Sequence, residues 1–565
     1  MRGWSRREFL SRGGAAVLGG GLALSAADLL AACGPGQQTS SAGSVAPVKG
    51  GNLIEGYAAD LTAGFNPVVN TASVDLGIGS LMFDGLLTYN GAGELQPLLA
   101  GLPKVSSDSL TYTFSLRRDA TWSDGKPLTS DDVLFTYNLM LDPAYKDVRS
   151  SFRGDLVAYI ASLSAPDPYT VVFKLKTPFA PFLANHGWHG ILPKHVLGDL
   201  APAQLNTTSF NTAPTVVSGA FKFVEWVKGD HVTLSRNPAC YRGQAYLDNF
   251  VFKPIADPQG LVSQLKNGEI DCARVSLASA FNDLRANPAL NVINFPIPQT
   301  VNYWYNLARG TLGSKLFGDR AVRQALFYAV DTGGISDGVY FKVGGLPTDS
   351  VIPPESWAHS SKVTPKYTLD PVKAASLLDA AGWKKGASGV RENGGLQLKF
   401  EITTLANNPN YGGVAQALQQ AWNQIGCSVT IKAVPLAQLS SAAYTSRTFD
   451  VLIISLLTGL DPDESSYWHS RNIVPGGMNI SSFSDAQVDQ LLDQAASTLD
   501  QSKRKQLYSQ FQDILATEQP GPPLLVQGGI WAYKKSVHGW GGGQMGGYTW
   551  NGLRPYLKDV FVSRS

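Results

Sequence analysis

Two hydrophobic periods alternate along this chain, and their alternation admits few architectures. In segment 110–117, Leu110, Tyr112, Phe114 and Leu116 are separated by polar neighbours, the period of a half-buried strand. Further on, Asp319 stands as a cap before Val322, Ala325, Leu326, Ala329 and Val330. That spacing predicts one face of a helix ending at Gly333. Asp370, Pro371 and the apolar Ala374, Leu377, Leu378 and Ala381 predict another, closed by Gly382. Strands are predicted at 396–402 and 428–434 around a helix at 414–425. The continuous apolar run Val451-Leu452-Ile453-Ile454 reads as a strand covered on both faces. Helices begin near Ser484, with Gln487 completing a capping box, and near Asp500. Strands interleaved with helices in this way give an α/β fold.

The first 33 residues carry an address. Arg2, Arg6, Arg7 and Arg12 face one acid, Glu8, and precede an apolar, glycine-rich stretch ending in Leu30-Ala31-Ala32-Cys33. This is the order of an export signal, residues 1–32. The pair Arg6-Arg7 resembles a twin-arginine motif, an address read by a receptor. Leu30-Ala31-Ala32-Cys33 resembles a bacterial lipobox, which makes Cys33 the lipidated first residue of the mature chain. Asp28 argues against a plain membrane span, because charge at bilayer depth is costly. Residues 33–51, rich in Gly, Pro, Ser, Gln and Thr, read as a tether without a core.

The rest of a 565-residue chain is too long for one hydrophobic core. Lys and Arg number 46 and Asp and Glu 44, and four arginines and two acids fall within the signal, so the mature chain is balanced. A balanced chain offers no footprint for nucleic acid. Cys240, Cys272 and Cys427 form no C-x-x-C pair; they read as buried thiols, with one disulfide, Cys240 to Cys272, as the alternative. His186 and His189, joined by a Gly-Trp spacer, are poorly held for metal, and His195 adds no third ligand at a fixed spacing. The segment 541–546 matches a dinucleotide pattern formally but no helical stripe follows it. H-E-x-x-H, G-x-S-x-G and Walker A sequences are all missing, which leaves a secreted hydrolase without support and calls for no cofactor.

A long ordered series of motifs carries a resemblance. Phe83-Asp84-Gly85-Leu86-Leu87-Thr88-Tyr89, Leu95-Gln96-Pro97-Leu98-Leu99-Ala100 and Trp122-Ser123-Asp124-Gly125-Lys126-Pro127-Leu128-Thr129 open it. Arg236-Asn237-Pro238, Asn267-Gly268-Glu269-Ile270-Asp271, Arg320-Ala321-Val322-Arg323-Gln324-Ala325-Leu326 and Asp379-Ala380-Ala381-Gly382-Trp383 continue it. The chain resembles the extracellular solute-binding proteins of the peptide and nickel class, family 5, which serve ABC importers. The resemblance implies a two-lobed clamp of the periplasmic-binding-protein type with a hinge and an additional inserted lobe. Lobe I is expected at 50–80, 213–296 and 525–565, lobe II at 81–212 and lobe III at 297–524, with the hinge near 296–298 and 522–527. It further implies a monomeric, non-enzymatic receptor, held to the outer face of the membrane by its lipid, that delivers an oligopeptide or dipeptide to a permease. An oligosaccharide, another organic solute or a nickel complex is the alternative cargo.

In dipeptide-binding relatives an acid follows a Thr-Gly pair and meets the ligand's ammonium. Here Thr458-Gly459 is followed by Leu460, with Asp461 and Asp463 next in line. Thr458, Gly459, Asp461 and Asp463 are therefore the expected ligand contacts, with Trp304 and Trp468 as aromatic walls.

Overall fold

The computed structural model describes residues 46–70, 72–150, 152–540 and 555–563. The expected signal, Cys33, the tether up to residue 45 and the glycine-rich segment 541–546 lie outside the described residues. Everything below concerns the compact unit Pro47–Ser565.

Among the described residues eleven strands share one sheet: β1 (Asn52–Tyr57), β2 (Phe221–Val227), β3 (His231–Arg236), β4 (Asn249–Pro254), β5 (Cys272–Val275), β6 (Leu290–Tyr305), β7 (Gly345–Pro347), β8 (Lys399–Leu405), β9 (Ser428–Val434), β10 (Val451–Leu457) and β11 (Pro523–Lys534). Their order is β9-β8-β10-β6-β11-β5-β1-β4-β3-β2, with β7 beside β11. Two strands join the halves of this sheet. The first part of β6, Leu290 to Pro296, pairs with Lys534 to Gly528 of β11, whose other edge holds β5. The last part of β6 lies between β10 and the beginning of β11. The register slips between Pro296 and Thr300. Pro296 and Pro298 lack the N–H that a ladder needs, so pairing breaks where the chain passes from one half to the other.

Side-chain alternation sorts the core. Val301, Tyr303 and Tyr305 of β6 and Val451 and Ile453 of β10 pack on one face with Val414, Leu418 and Trp422. Trp304, Leu452 and Leu456 pack on the other with Trp468, Leu492 and Phe511. This is the period of two expected in a strand, and packing on both faces explains why Val451 to Ile454 of β10 are apolar without alternation. Residues between β1 and β2 add a separate four-stranded antiparallel sheet, ordered Lys104–Val105, Thr111–Ser115, Thr170–Leu175, Ile160–Asp167. Tyr112 and Phe114 are buried as their alternation requires.

The helices relevant here are α1 (Ser130–Leu141), α2 (Arg320–Tyr328), α3 (Pro371–Ala380), α4 (Pro409–Gln424), α5 (Ala486–Ser497) and α6 (Gln501–Glu518). Asp319 caps α2 through the Ala321 N–H at 2.8 Å, and Asp370 caps α3 through Lys373. Helix α4 begins at Pro409, ahead of the expected 414, and three further boundaries differ from expectation. Helix α2 ends at Tyr328 and not at Gly333, because Asp331 accepts from the Gly334 N–H and starts a new helix, Thr332–Gly338. The cap of α5 is Asp485, not Ser484; its carboxylate accepts from both Gln487 and Val488. Segment 396–402 divides at Leu398: Leu396–Gln397 folds back on Arg391–Asn393 across the Gly394-Gly395 turn, and only Lys399 onward joins the large sheet. Cys240, Cys272 and Cys427 are all free and buried.

Candidate functional site

Strand β10 delivers its last residue to the boundary between the sheet halves. Leu457 pairs with Gln299, and the Thr458 N–H donates to the Pro298 carbonyl at 2.8 Å, which pins the following loop to the passage between the halves. Within that loop each nominated side chain takes a different role. Thr458 is buried, and its hydroxyl donates to Glu464 Oε1 at 2.8 Å. Gly459 is exposed. Asp461 is buried and receives Arg504 on both oxygens, at 2.6 and 2.5 Å. Asp463 is half-buried and accepts from the Ser465 N–H at 3.1 Å and from its hydroxyl at 2.5 Å.

These placements alter the expected chemistry. Asp461 was nominated as a counter-charge for an ammonium, but its charge is already matched inside the protein. Burial opposes the charge on Arg504, and the hydrogen bonds and charge of Asp461 outweigh it, so the guanidinium's pKa is raised. Trp304 and Trp468 do not form an open wall. Both are fully buried, their rings stack 4.9 Å apart, and Trp304 Nε1 donates to the Ile454 carbonyl. Trp304 lies on the face of β6 opposite Tyr303, and Trp468, at the end of the short helix Ser465–Trp468, packs with it in the core on that face.

Two groups that sequence reasoning did not select stand beside this loop. Glu464 is fully buried, burial pushes its pKa up to about 8, and Oε2 has no hydrogen-bond partner. Asp155, on the short helix Arg153–Tyr159 that follows α1, has its pKa raised by burial and then by the charge of Asp463, against the opposing influence of Arg471. An acid from the early part of the chain thus faces the loop that follows β10. No spacing rule links residues 155 and 463; only the tertiary fold brings them together.

Two cavities flank the loop. One, of ≈ 240 Å³, lies where β5, β6, β11 and the start of α4 meet. Its wall includes four side-chain amides, Gln299, Asn408, Asn410 and Gln527, two phenols, Tyr340 and Tyr411, and the guanidinium of Arg274, with no carboxylate. Tyr411 is tied to Ser455 of β10 at 2.5 Å. Asn408 is both lining residue and helix cap, accepting from the Tyr411 N–H at 3.0 Å. The other cavity, ≈ 560 Å³, separates residues 92–95 and 180–184 from residues 354–357, Leu460, Asp461 and Gln501. The larger is in the range that holds small ligands, and the smaller, just below it, is of a size for part of a larger one.

His186 and His189 come together, Nδ1 to Nε2 at 3.3 Å, in a buried pair. Burial lowers the pKa of His186 to about 4 and holds that of His189 well below the usual imidazole value, with His186 adding to the effect at His189. His195 instead bonds Asp124 at 2.9 Å. Among the described residues no group of three or more His, Cys, Asp or Glu is arranged to hold a metal.

The sequence and the fold have clear likenesses. The model for bacterial extracellular solute-binding proteins, family 5 Middle, matches residues 94–473. The oligopeptide-binding protein AppA of Bacillus subtilis is 28% identical over 520 residues, covering 90% of this chain and 93% of AppA. Its structure in complex with a nonapeptide superposes with a TM-score of 0.77 and 26% identity, covering 92% of this chain and 100% of that one. NikZ from Campylobacter jejuni, in complex with Ni(L-His), gives a TM-score of 0.76 and 29% identity over 90% of this chain and 99% of NikZ.

Proposed function

Since this chain belongs to the bacterial extracellular solute-binding proteins of family 5, a family of non-catalytic binding proteins, we propose that it captures a peptide outside the cytoplasm and presents it to an ABC permease. The observation that carries the peptide assignment is the wall of the smaller cavity. Side-chain amides both donate and accept hydrogen bonds, which complements a peptide main chain, whose every residue offers one of each. The likeness to AppA, solved with a nonapeptide, supports the same class of ligand.

In this reading the lobes are residues 50–80, 213–296 and 525–565, residues 81–212, and residues 297–524. They turn about the passages of β6 and β11, where the ladder is interrupted between Pro296 and Thr300. Ligand contacts from both sides favour the closed arrangement, which the permease then recognises. Thr458, Gly459 and Asp463 contribute to the ligand side of the loop. Asp461 supports that loop from beneath, and Asp463 is left as its acid for a ligand's amino end. The protein works as a monomer, exported through its twin-arginine signal and anchored by lipid on Cys33.

Mass spectrometry of small molecules released by denaturing the purified protein, followed by thermal shifts with the molecules found, tests the assignment. Peptides should be recovered and should raise the melting temperature, since a ligand selective for the folded form stabilises it by mass action. Recovery of a sugar or of a nickel chelate, with no shift from any peptide, overturns it.

A further inference from the structure

The larger cavity poses an electrostatic problem that the fold leaves open. Three carboxylates line it: Glu94 on the wall from the early part of the chain, where it accepts from Asn90 Nδ2 at 2.8 Å, and Glu355 and Asp461 on the other. Asp461 is neutralised by Arg504, which also lies 5.2 Å from the ring of Trp357 in the same wall. Glu355 is treated differently. Its Oε2 is buried without a hydrogen-bond partner, and burial raises its pKa. Among the described residues no cation pairs with it. A desolvated carboxylate without a counter-charge is costly, and here it stands beside ≈ 560 Å³ of space. The opposite wall, from the early part of the chain, supplies Leu95 and Leu183, and Leu460 adds a third aliphatic side chain.

We propose that this cavity seats a basic side chain of the bound peptide, an ammonium or guanidinium on an aliphatic stem, with Glu355 as its counter-charge. The leucines and Trp357 cover the stem, and the carboxylate meets the head. The two cavities are close enough to share one ligand. Leu457, paired with Gln299 of the amide-lined cavity, is three residues from Leu460 in this wall. Three residues of extended chain cover at most about 11 Å, a span that a short peptide also covers. The side-chain preference rests on the peptide reading above, whereas the cation site itself does not.

Calorimetry on the wild type and Glu355→Gln, which preserves shape, separates the two. The probes are alanine pentapeptides with arginine, lysine or norleucine placed at each position in turn, and n-butylguanidinium chloride alone. At one position arginine and lysine should bind the wild type at least about tenfold more tightly than norleucine, as a charge-assisted contact requires. Glu355→Gln should lose that ratio and bind the norleucine peptide as the wild type does. An unchanged ratio in the variant, or no basic preference at any position in a wild type that binds these peptides, overturns the Glu355 site and leaves peptide capture standing. If no peptide binds, peptide capture and with it the side-chain assignment fail, and n-butylguanidinium then decides the cation site. Stabilisation of the wild type but not of Glu355→Gln upholds a site for a free organic cation, and no effect on either overturns it.

Discussion

Arg504 grips both carboxylate oxygens of Asp461, at 2.6 and 2.5 Å, and donates at 3.0 Å to the Tyr508 hydroxyl one turn along α6. The pair fastens the loop after β10 to the helix that leads back to the hinge. Removing one partner of a buried pair strands the other's charge, so Asp461→Asn should cost about 3–5 kcal/mol of stability. Adding Arg504→Leu should recover part of that loss. Urea denaturation of the single and double variants measures both. A fully stable Asp461→Asn that no longer distinguishes free from acetylated peptide would instead return Asp461 to the role of ligand acid.

Glu464 gives the opposite kind of test. Its carboxyl titrates near 4.5 when unfolded and at about 8 when folded. The folded protein therefore keeps a proton that the unfolded chain has released across that window. Its contribution is fully present below the unfolded pKa and is lost as pH rises through the folded one. Glu464→Gln keeps an oxygen to accept from Thr458 and removes the titration. It should gain up to about 4 kcal/mol over the wild type near the top of the window, and little below it. Melting temperatures across the window show this as a flatter pH profile in the variant, and parallel profiles would count against a neutral buried Glu464.

Local pattern carried most of the architecture. The caps at Asp319, Asp370 and Asp500, the alternation at Tyr112 and Phe114, and the run of β10 all depend on near neighbours, and all are found where the periods place them. The site was less legible because its decisive partners are distant. Nothing near Asp461 announces Arg504, which stands 43 positions away. Trp304 and Trp468 looked like walls because aromatics suit both cores and clefts, and only the packing of both faces of β6 assigns Trp304 to the interior. Asp155 and Glu355 carried no signal, since Asp155 is distinguished by the nearby charge of Asp463 and Glu355 by an Oε2 buried without a hydrogen-bond partner, and neither is a property of sequence spacing.

Anchoring can be tested without reference to the cleft. Cys33→Ala removes the thiol that a lipobox modifies, so the protein should move from the membrane fraction to the soluble extracytoplasmic fraction or remain unprocessed. Intact mass should show a lipid on the wild-type mature chain alone. Arg6→Lys with Arg7→Lys should block export by the twin-arginine route. Normal processing of that double variant would assign the signal to another exporter.

The hinge offers the sharpest steric test. Gly528 of β11 lies opposite Pro296, its N–H donates to the Gly344 carbonyl at 2.8 Å, and a Cβ at this position would overlap the backbone oxygen of Val343. Gly344, Gln527 and Gly528 all border the amide-lined cavity. Gly528→Ala must therefore displace backbone at the site, where overpacking costs about 1–3 kcal/mol, and it should reduce peptide affinity as well as stability. Gly412, inside α4, is the control: a Cβ there meets nothing within 4 Å. Gly412→Ala should stabilise by about 0.5–1 kcal/mol, because alanine loses less backbone freedom in a helix. Calorimetric affinity and melting temperature measured on both variants separate a hinge effect from a general one. Wild-type affinity in a destabilised Gly528→Ala would show that the 343–344 backbone can move without disturbing the ligand, and would take the smaller cavity out of the binding site.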